Sequence, residues 1–92
     1  MSGIHLSGTL LCRDARDAAI VISALPEHVR LTHAEHGCVS FEVAPTGDPL
    51  VWTVEERFVD AAAFRAHQQR VADSVWGRAT AGIERRYEVE GL

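Results

Sequence analysis

At 92 residues the chain holds a single domain spanning 1–92, because separate hydrophobic cores appear only in much longer chains. Its composition, 47% hydrophobic and 24% charged with seven glycines and three prolines, is that of a folded globular chain and excludes a disordered tail or a repeat array. Thirteen acidic residues against nine basic ones give a net charge of −4, so the positive excess that phosphate backbones require is missing and no nucleic-acid partner is expected.

The first twelve residues have no basic residue ahead of their apolar positions and are interrupted by Gly3, His5, Ser7, Gly8 and Thr9, so they do not read as an export signal. Residues 4–12 read as a strand, with Ile4, Leu6, Gly8, Leu10 and Cys12 on one face. Asp14 caps a helix whose stripe Ala15, Ala18, Ile22, Leu25, Val29 and Thr32 advances in threes and fours to about His33. Pro26 is expected to kink that helix or split it. The longest uncharged run, 18–26, falls far short of the ~20 apolar residues of a membrane helix, and the expectation is a cytoplasmic protein with no membrane partner. Gly37 ends the helix, and residues 38–44 form a second strand in which Val39, Phe41 and Val43 alternate with Ser40 and Glu42. A turn at 45–49 leads to a third strand, 50–58, with Trp52, Val54, Glu56 and Phe58 on one side. Asp60 caps a helix over 61–70 whose inward stripe is Ala63, Phe64, His67 and Val71. Ser74 caps a short extra turn carrying Val75, Trp76 and Ala79, and Gly82 releases the chain into a last strand, 83–89, with Ile83, Arg85, Tyr87 and Val89 on one face.

The order strand, helix, strand, strand, helix, strand is the α+β, ferredoxin-like βαββαβ pattern: one antiparallel sheet with both helices on one face. Several strands carry apolar residues on both sides, and with thirteen alanines the core is built from small pieces. The expected remedy is a homodimer in which the uncovered faces of two sheets meet. The first two strands run parallel with the third between them, which puts Cys12 and Cys38 at opposite ends of the sheet and excludes a disulfide between them. Both are read as reduced, small buried side chains.

Two segments, Ala34-Glu35-His36-Gly37-Cys38-Val39-Ser40-Phe41-Glu42-Val43 and Glu56-Arg57-Phe58-Val59-Asp60 continuing through Ala63-Phe64 to His67, resemble the antibiotic biosynthesis monooxygenase family, small dimeric α+β barrel proteins that include quinol monooxygenases. The resemblance covers residues 6–89, and the strand order, reached separately, agrees with it. It implies a homodimeric barrel with a pocket between sheet and helices in each subunit. It also implies oxidation of a small quinol, phenol or polycyclic aromatic by O2, with no metal, flavin or haem. That chemistry is feasible because a deprotonated hydroquinone can itself give an electron to O2, leaving the protein to bind, desolvate and deprotonate it. Relatives on the same fold degrade haem or isomerise substrates. The Asn, Trp and His trio of the haem-degrading branch is not found, since the chain has no Asn.

His67 is the first catalytic candidate, an imidazole on an inward stripe that titrates near neutral pH. Glu56, among Trp52, Val54 and Phe58, must find a partner or become protonated, and a Glu56–His67 pair would satisfy both. Such a pair either raises and orients the imidazole's basicity or simply ties helix to sheet. Trp76, with Trp52, Phe41 and Tyr87, supplies candidate substrate-binding walls; the plain alternative for each is core packing. His28, His33 and His36 with Glu35 lack the spacing of a metal site, and the histidines read as a solvated helix end. Arg70, Arg78, Arg85 and Arg86 read as salt-bridge residues at a dimer edge rather than as an anion site. No phosphate loop, Cys-x-x-Cys pair or nucleophile elbow appears, so neither a cofactor nor a metal is expected. The alternative to an enzyme is a dimeric barrel that binds a small hydrophobic metabolite without transforming it.

Overall fold

The computed structural model describes residues 3–92. In chain order the elements are strand β1 (Ile4–Leu11), helix α1 (Ala15–His33), strands β2 (Cys38–Pro45) and β3 (Val51–Phe58), helix α2 (Ala61–Ala72), short helix α3 (Val75–Ala79) and strand β4 (Glu84–Glu90). The strands form one sheet in the order β2-β3-β1-β4, every neighbouring pair antiparallel. The ferredoxin-like expectation is met. Cys12 and Cys38 are free thiols near opposite ends of the sheet, Cys12 by Leu50 and Cys38 opposite Phe58.

Local chemistry starts each helix where the sequence predicts. The side chain of Asp14 accepts from the backbone N–H of Asp17, that of Asp60 from Ala63 and that of Ser74 from Gly77, each satisfying a donor that the first helical turn leaves free. Along the sheet, Ile4, Leu6 and Leu10 of β1 and Trp52, Val54 and Phe58 of β3 are buried against Val21, Phe64 and Trp76 of the helices. Gly8 is required at the centre of β1, because a Cβ there would stand 2.0 Å from the carbonyl oxygen of Arg86 on β4.

Helix α1 departs from the sequence reading in two ways. It runs unbroken through Pro26 instead of splitting. The hydrogen bond that proline removes is the one to the carbonyl of Ile22, a residue 62% exposed, so the lost bond falls on the solvent side of the helix, where its removal costs least. The buried face is also rotated: it is made by Asp17, Val21, His28 and Thr32, while Ile22 lies outside. Asp17 is tolerated inside because Arg13 donates to it from the backbone N–H at 2.9 Å and from Nε and Nη2 at 2.8 and 3.0 Å, bonds that hold its carboxyl down at about 2. On β2 the pairing slips by one residue between Cys38 and Ser40, a bulge that leaves Val39 exposed while Phe41 and Val43 face the helices.

No helix covers the other sheet face, which carries His5, Ser7, Thr9 and Leu11 of β1 and Val51, Thr53, Glu55 and Arg57 of β3. Its apolar side chains are few, Leu11 paired with Val51 at one end and the exposed Val39 beside His5 and Arg57 at the other, a more polar face than the sequence suggests. Among the described residues, no helix is long and apolar enough to cross a membrane.

Candidate functional site

Between sheet and helices lies an imidazole held between two carboxyl groups. The α2 stripe turns His67 inward, and its side chain is 2% exposed. Its Nδ1 donates to Oε1 of Glu35 at 2.8 Å, and its Nε2 stands 3.7 Å from Oε1 of Glu56, beyond hydrogen-bond reach. The expected neighbourhood of His67 and Glu56 is present, but the hydrogen bond goes to Glu35, in the turn between α1 and β2. That turn reaches α2 because Gly37 has no side chain: a Cβ there would come within 2.2 Å of Cβ of Ala63. The other carboxylate oxygen of Glu35 accepts from Nε of Arg70, whose Nη2 donates to Oγ1 of Thr32 at 3.0 Å. Glu56 Oε1 has no hydrogen-bond partner.

Burial pushes the Glu56 carboxyl up to about 7; the negative Glu35 adds to that rise and Arg85 opposes it. Burial pushes His67 below its ordinary value, outweighing the hydrogen bond to Glu35 that lifts it. A neutral imidazole facing a carboxylate at 2.8 Å must carry its proton on Nδ1, which leaves Nε2 bare towards Glu56. The raised Glu56 has a measurable consequence for stability. The folded chain prefers the acid form, so stability is full below the ordinary carboxylate value of 4.5 and is lost as pH rises from there through about 7. Glu56→Gln removes that loss. Thermal melts from pH 4 to 9 should show the variant gaining on the wild type across this window, towards a difference on the order of 2–3 kcal/mol above it. A gap that does not change with pH would contradict the buried acid.

Aromatic rings surround the imidazole. Phe58 lies 4.8 Å from His67 and Phe41 5.9 Å, centroid to centroid. His28 lies 6.1 Å away and stacks on Trp76 at 4.6 Å with the planes 2° apart. Burial drives His28 down to about 3, so it is a neutral ring at physiological pH. The solvated helix end expected of His28, His33 and His36 therefore fails for His28, which α1 buries against Phe41 and Trp76. Trp52 is buried with Nε1 unpartnered, and burial pushes the half-buried Tyr87 up to about 12. Of the expected walls, Trp76 lines a cleft of about 280 Å³ together with His28 and Leu31. A larger cleft of about 520 Å³ is lined by Glu35, His67 and Arg70 together with Ala62, Ala63 and Ala66. Phe41, Trp52, Glu56 and Tyr87 line neither.

Glu35 and His28 are the site residues that sequence reasoning missed. The signal for Glu35 lay in its place beside Gly37, a glycine whose close approach was not legible from one chain. The arginines are engaged within the chain: Arg70 with Glu35, Arg85 with Thr80 and Ile83, Arg86 with Glu84 and Arg78 with the carbonyl of Asp73. Among the described residues no three His, Cys, Asp or Glu side chains gather as metal ligands.

A protein-family model described as antibiotic biosynthesis monooxygenase matches residues 14–72, from the cap of α1 to the end of α2. No protein of curated function matches the sequence. Among solved structures, the chain is similar to SnoaB, a cofactor-independent oxygenase from Streptomyces nogalater, with a TM-score of 0.82 at 11% identity over 100% of this chain and 94% of that one. It is similar to MupZ from Pseudomonas fluorescens, with a TM-score of 0.82 at 19% identity over 98% and 68% of the two chains. It also resembles Rv0793 from Mycobacterium tuberculosis, with a TM-score of 0.76 at 17% identity over 99% and 95%. At these identities the likeness is one of fold.

Proposed function

The chain belongs to the antibiotic biosynthesis monooxygenase family, and from that premise we propose that it is a cofactor-independent monooxygenase oxidising a small quinol, phenol or related aromatic with O2 in the cytoplasm. The observation that carries this reading is the bare Nε2 of a buried imidazole, 3.7 Å from a carboxyl group with an unpartnered oxygen, in an aromatic setting. His67, with Glu56 beside it, takes the substrate's hydroxyl proton. Trp76 offers the ring a wall, and Trp52, Phe41 and Tyr87, which line neither cleft, stand behind it as the rest of the proposed aromatic lining. The phenolate gives one electron to O2, and the aryloxyl radical and superoxide combine to form a carbon–oxygen bond. The resulting hydroperoxide loses water to leave a carbonyl. In sum the quinol loses four electrons, one oxygen atom enters the ring and the other leaves as water. The test is O2 uptake by metal-free protein with a panel of hydroquinones, beside a His67 variant. No uptake above the buffer rate with any of them, despite measurable ligand binding, would overturn the reading.

A second reading rests on a different observation. The largest of the described clefts is lined by Glu35, His67 and Arg70 with Ala62, Ala63 and Ala66, and not by Glu56. A barrel that holds a small hydrophobic metabolite there without transforming it fits that placement. Measurable binding with no oxygen consumed, in the wild type and in His67→Gln alike, would select it.

The uncovered sheet face supports a homodimer as the working unit, with the apolar pair Leu11 and Val51 at one end. Light scattering coupled to size exclusion at micromolar concentration should give twice the chain mass, and Leu11→Glu should lower it towards that of one chain. A single-chain mass for the wild type removes the dimer from the proposal.

A further inference from the structure

Of the described clefts His67 lines one, the cleft it shares with Glu35. The His67 side chain is 2% exposed and that of Glu56 8%, whereas Glu35 is 19% exposed and lines the 520 Å³ cleft together with Arg70. Of the three side chains Glu35 is the most exposed, and it joins the two buried ones to water. We infer that Glu35 is a positioning residue that decides which nitrogen of His67 is bare, and that it is the outer end of a proton route running from Glu56 through His67 to the cleft. The inference rests on the monooxygenase reading for its catalytic consequence, though not for the proton's placement.

Three contacts make Glu35 fit for this. One oxygen accepts from His67 Nδ1, the other from Arg70 Nε, and Arg70 is itself held by Thr32, so the carboxylate has little freedom to turn away. An ionised Glu35 stabilises the Nδ1–H form of the ring, which aims the basic lone pair of Nε2 at Glu56 and the interior. A proton reaching Nε2 gives an imidazolium hydrogen-bonded through Nδ1 to the Glu35 carboxylate. The Nδ1 proton then moves to Glu35 and from it to water, and the ring is left neutral with its proton on Nε2. The reverse passage restores the starting form and returns a proton when the peroxide oxygen leaves as water. While the proton is out, the negative charge it leaves behind stays on the group that gave it up, and the reverse passage cancels that charge.

The remaining ionisable neighbours do not offer another exit. His28, at 6.1 Å, is kept neutral by burial. The Cys38 thiol is pushed up by burial and by Glu35 and Glu56, and Tyr87 is pushed up on the β4 side. Arg85 is occupied with Thr80 and Ile83. Arg70 has no base to offer.

The test is 15N NMR of the histidine rings, assigned against His67→Gln, in wild type, Glu35→Asp, Glu35→Gln and Glu35→Leu. In the wild type, His67 should carry its proton on Nδ1. Glu35→Gln keeps an acceptor and should keep that form; Glu35→Leu removes it and should convert the ring to the Nε2–H form. Where turnover is measured, Glu35→Gln should lower kcat roughly tenfold or more and move the acid limb of its pH profile downward, because the charge that raises both Glu56 and His67 is gone. Glu35→Asp should recover part of the rate. A wild-type ring protonated on Nε2, or a Glu35→Leu ring still protonated on Nδ1, overturns the inference. If the tautomer behaves as stated and no substrate consumes O2, the monooxygenase reading falls while the positioning by Glu35 stands.

Discussion

Replacing His67 by alanine or glutamine is expected to lower kcat for quinol-dependent O2 uptake by about 10²- to 10⁴-fold, the range that a positioned general base contributes. Glutamine is the more informative of the two. It fills most of the imidazole's volume and can still accept from or donate to Glu35, so the packing against Phe58 and Phe41 is disturbed less than by alanine. Far-ultraviolet circular dichroism and a melting curve on each variant separate loss of the base from loss of the fold. If a quinol is found that the wild type oxidises, and a folded His67→Gln chain oxidises it at the same rate, the imidazole is not the base. Glu56→Gln should fall between the two, since it leaves Nε2 in place but removes the carboxyl that faces it at 3.7 Å.

Phe58→Ala is expected to cost about 3–5 kcal/mol of stability, the usual result of removing a fully buried aromatic and leaving a cavity. Phe58 is 1% exposed at the end of β3, pairs with both Ile4 and Cys38 across the sheet, and packs against Phe64 at 5.8 Å and His67 at 4.8 Å. A small domain has only about 5–15 kcal/mol in all, so the urea midpoint should drop sharply and the variant should lie close to its unfolding threshold at room temperature. Phe58→Leu, which keeps much of the volume, should cost less than about 1.5 kcal/mol. An alanine variant within about 1 kcal/mol of wild type would mean that the layer between sheet and α2 can collapse around the gap. In that event the placement of His67 would not be fixed.

The site was legible in unequal parts. His67 was readable as an inward residue because α2 repeats its buried positions every three or four residues, and Phe64 and His67 fall on that face. Glu56 was readable because a strand alternates its sides and Trp52, Val54 and Phe58 share its face. The hydrogen-bonding partner of His67 was not. Glu35 lies 32 residues before His67, and what joins them is the contact of a turn with a helix at Gly37 and Ala63. The buried face of α1 was misread for a related reason: Asp17 and His28 are polar, so a count of apolar residues rotates the helix towards Ile22, and only the partners Arg13 and Trp76 show why they lie inside.

By itself the sequence determined what depends on neighbours along the chain. It determined the three capped helix starts at Asp14, Asp60 and Ser74, the alternation of the strands, and through their order the antiparallel sheet. Tertiary structure alone decided the bulge at Cys38, the survival of α1 across Pro26, and the choice of Glu35 over Glu56 as the hydrogen-bonding partner of His67. The physical reason is range. Caps and periodicity are settled within a turn or two of backbone, whereas the partner of a buried charge is settled by whichever group the packed layers bring within about 3 Å, and that distance is a property of the whole fold.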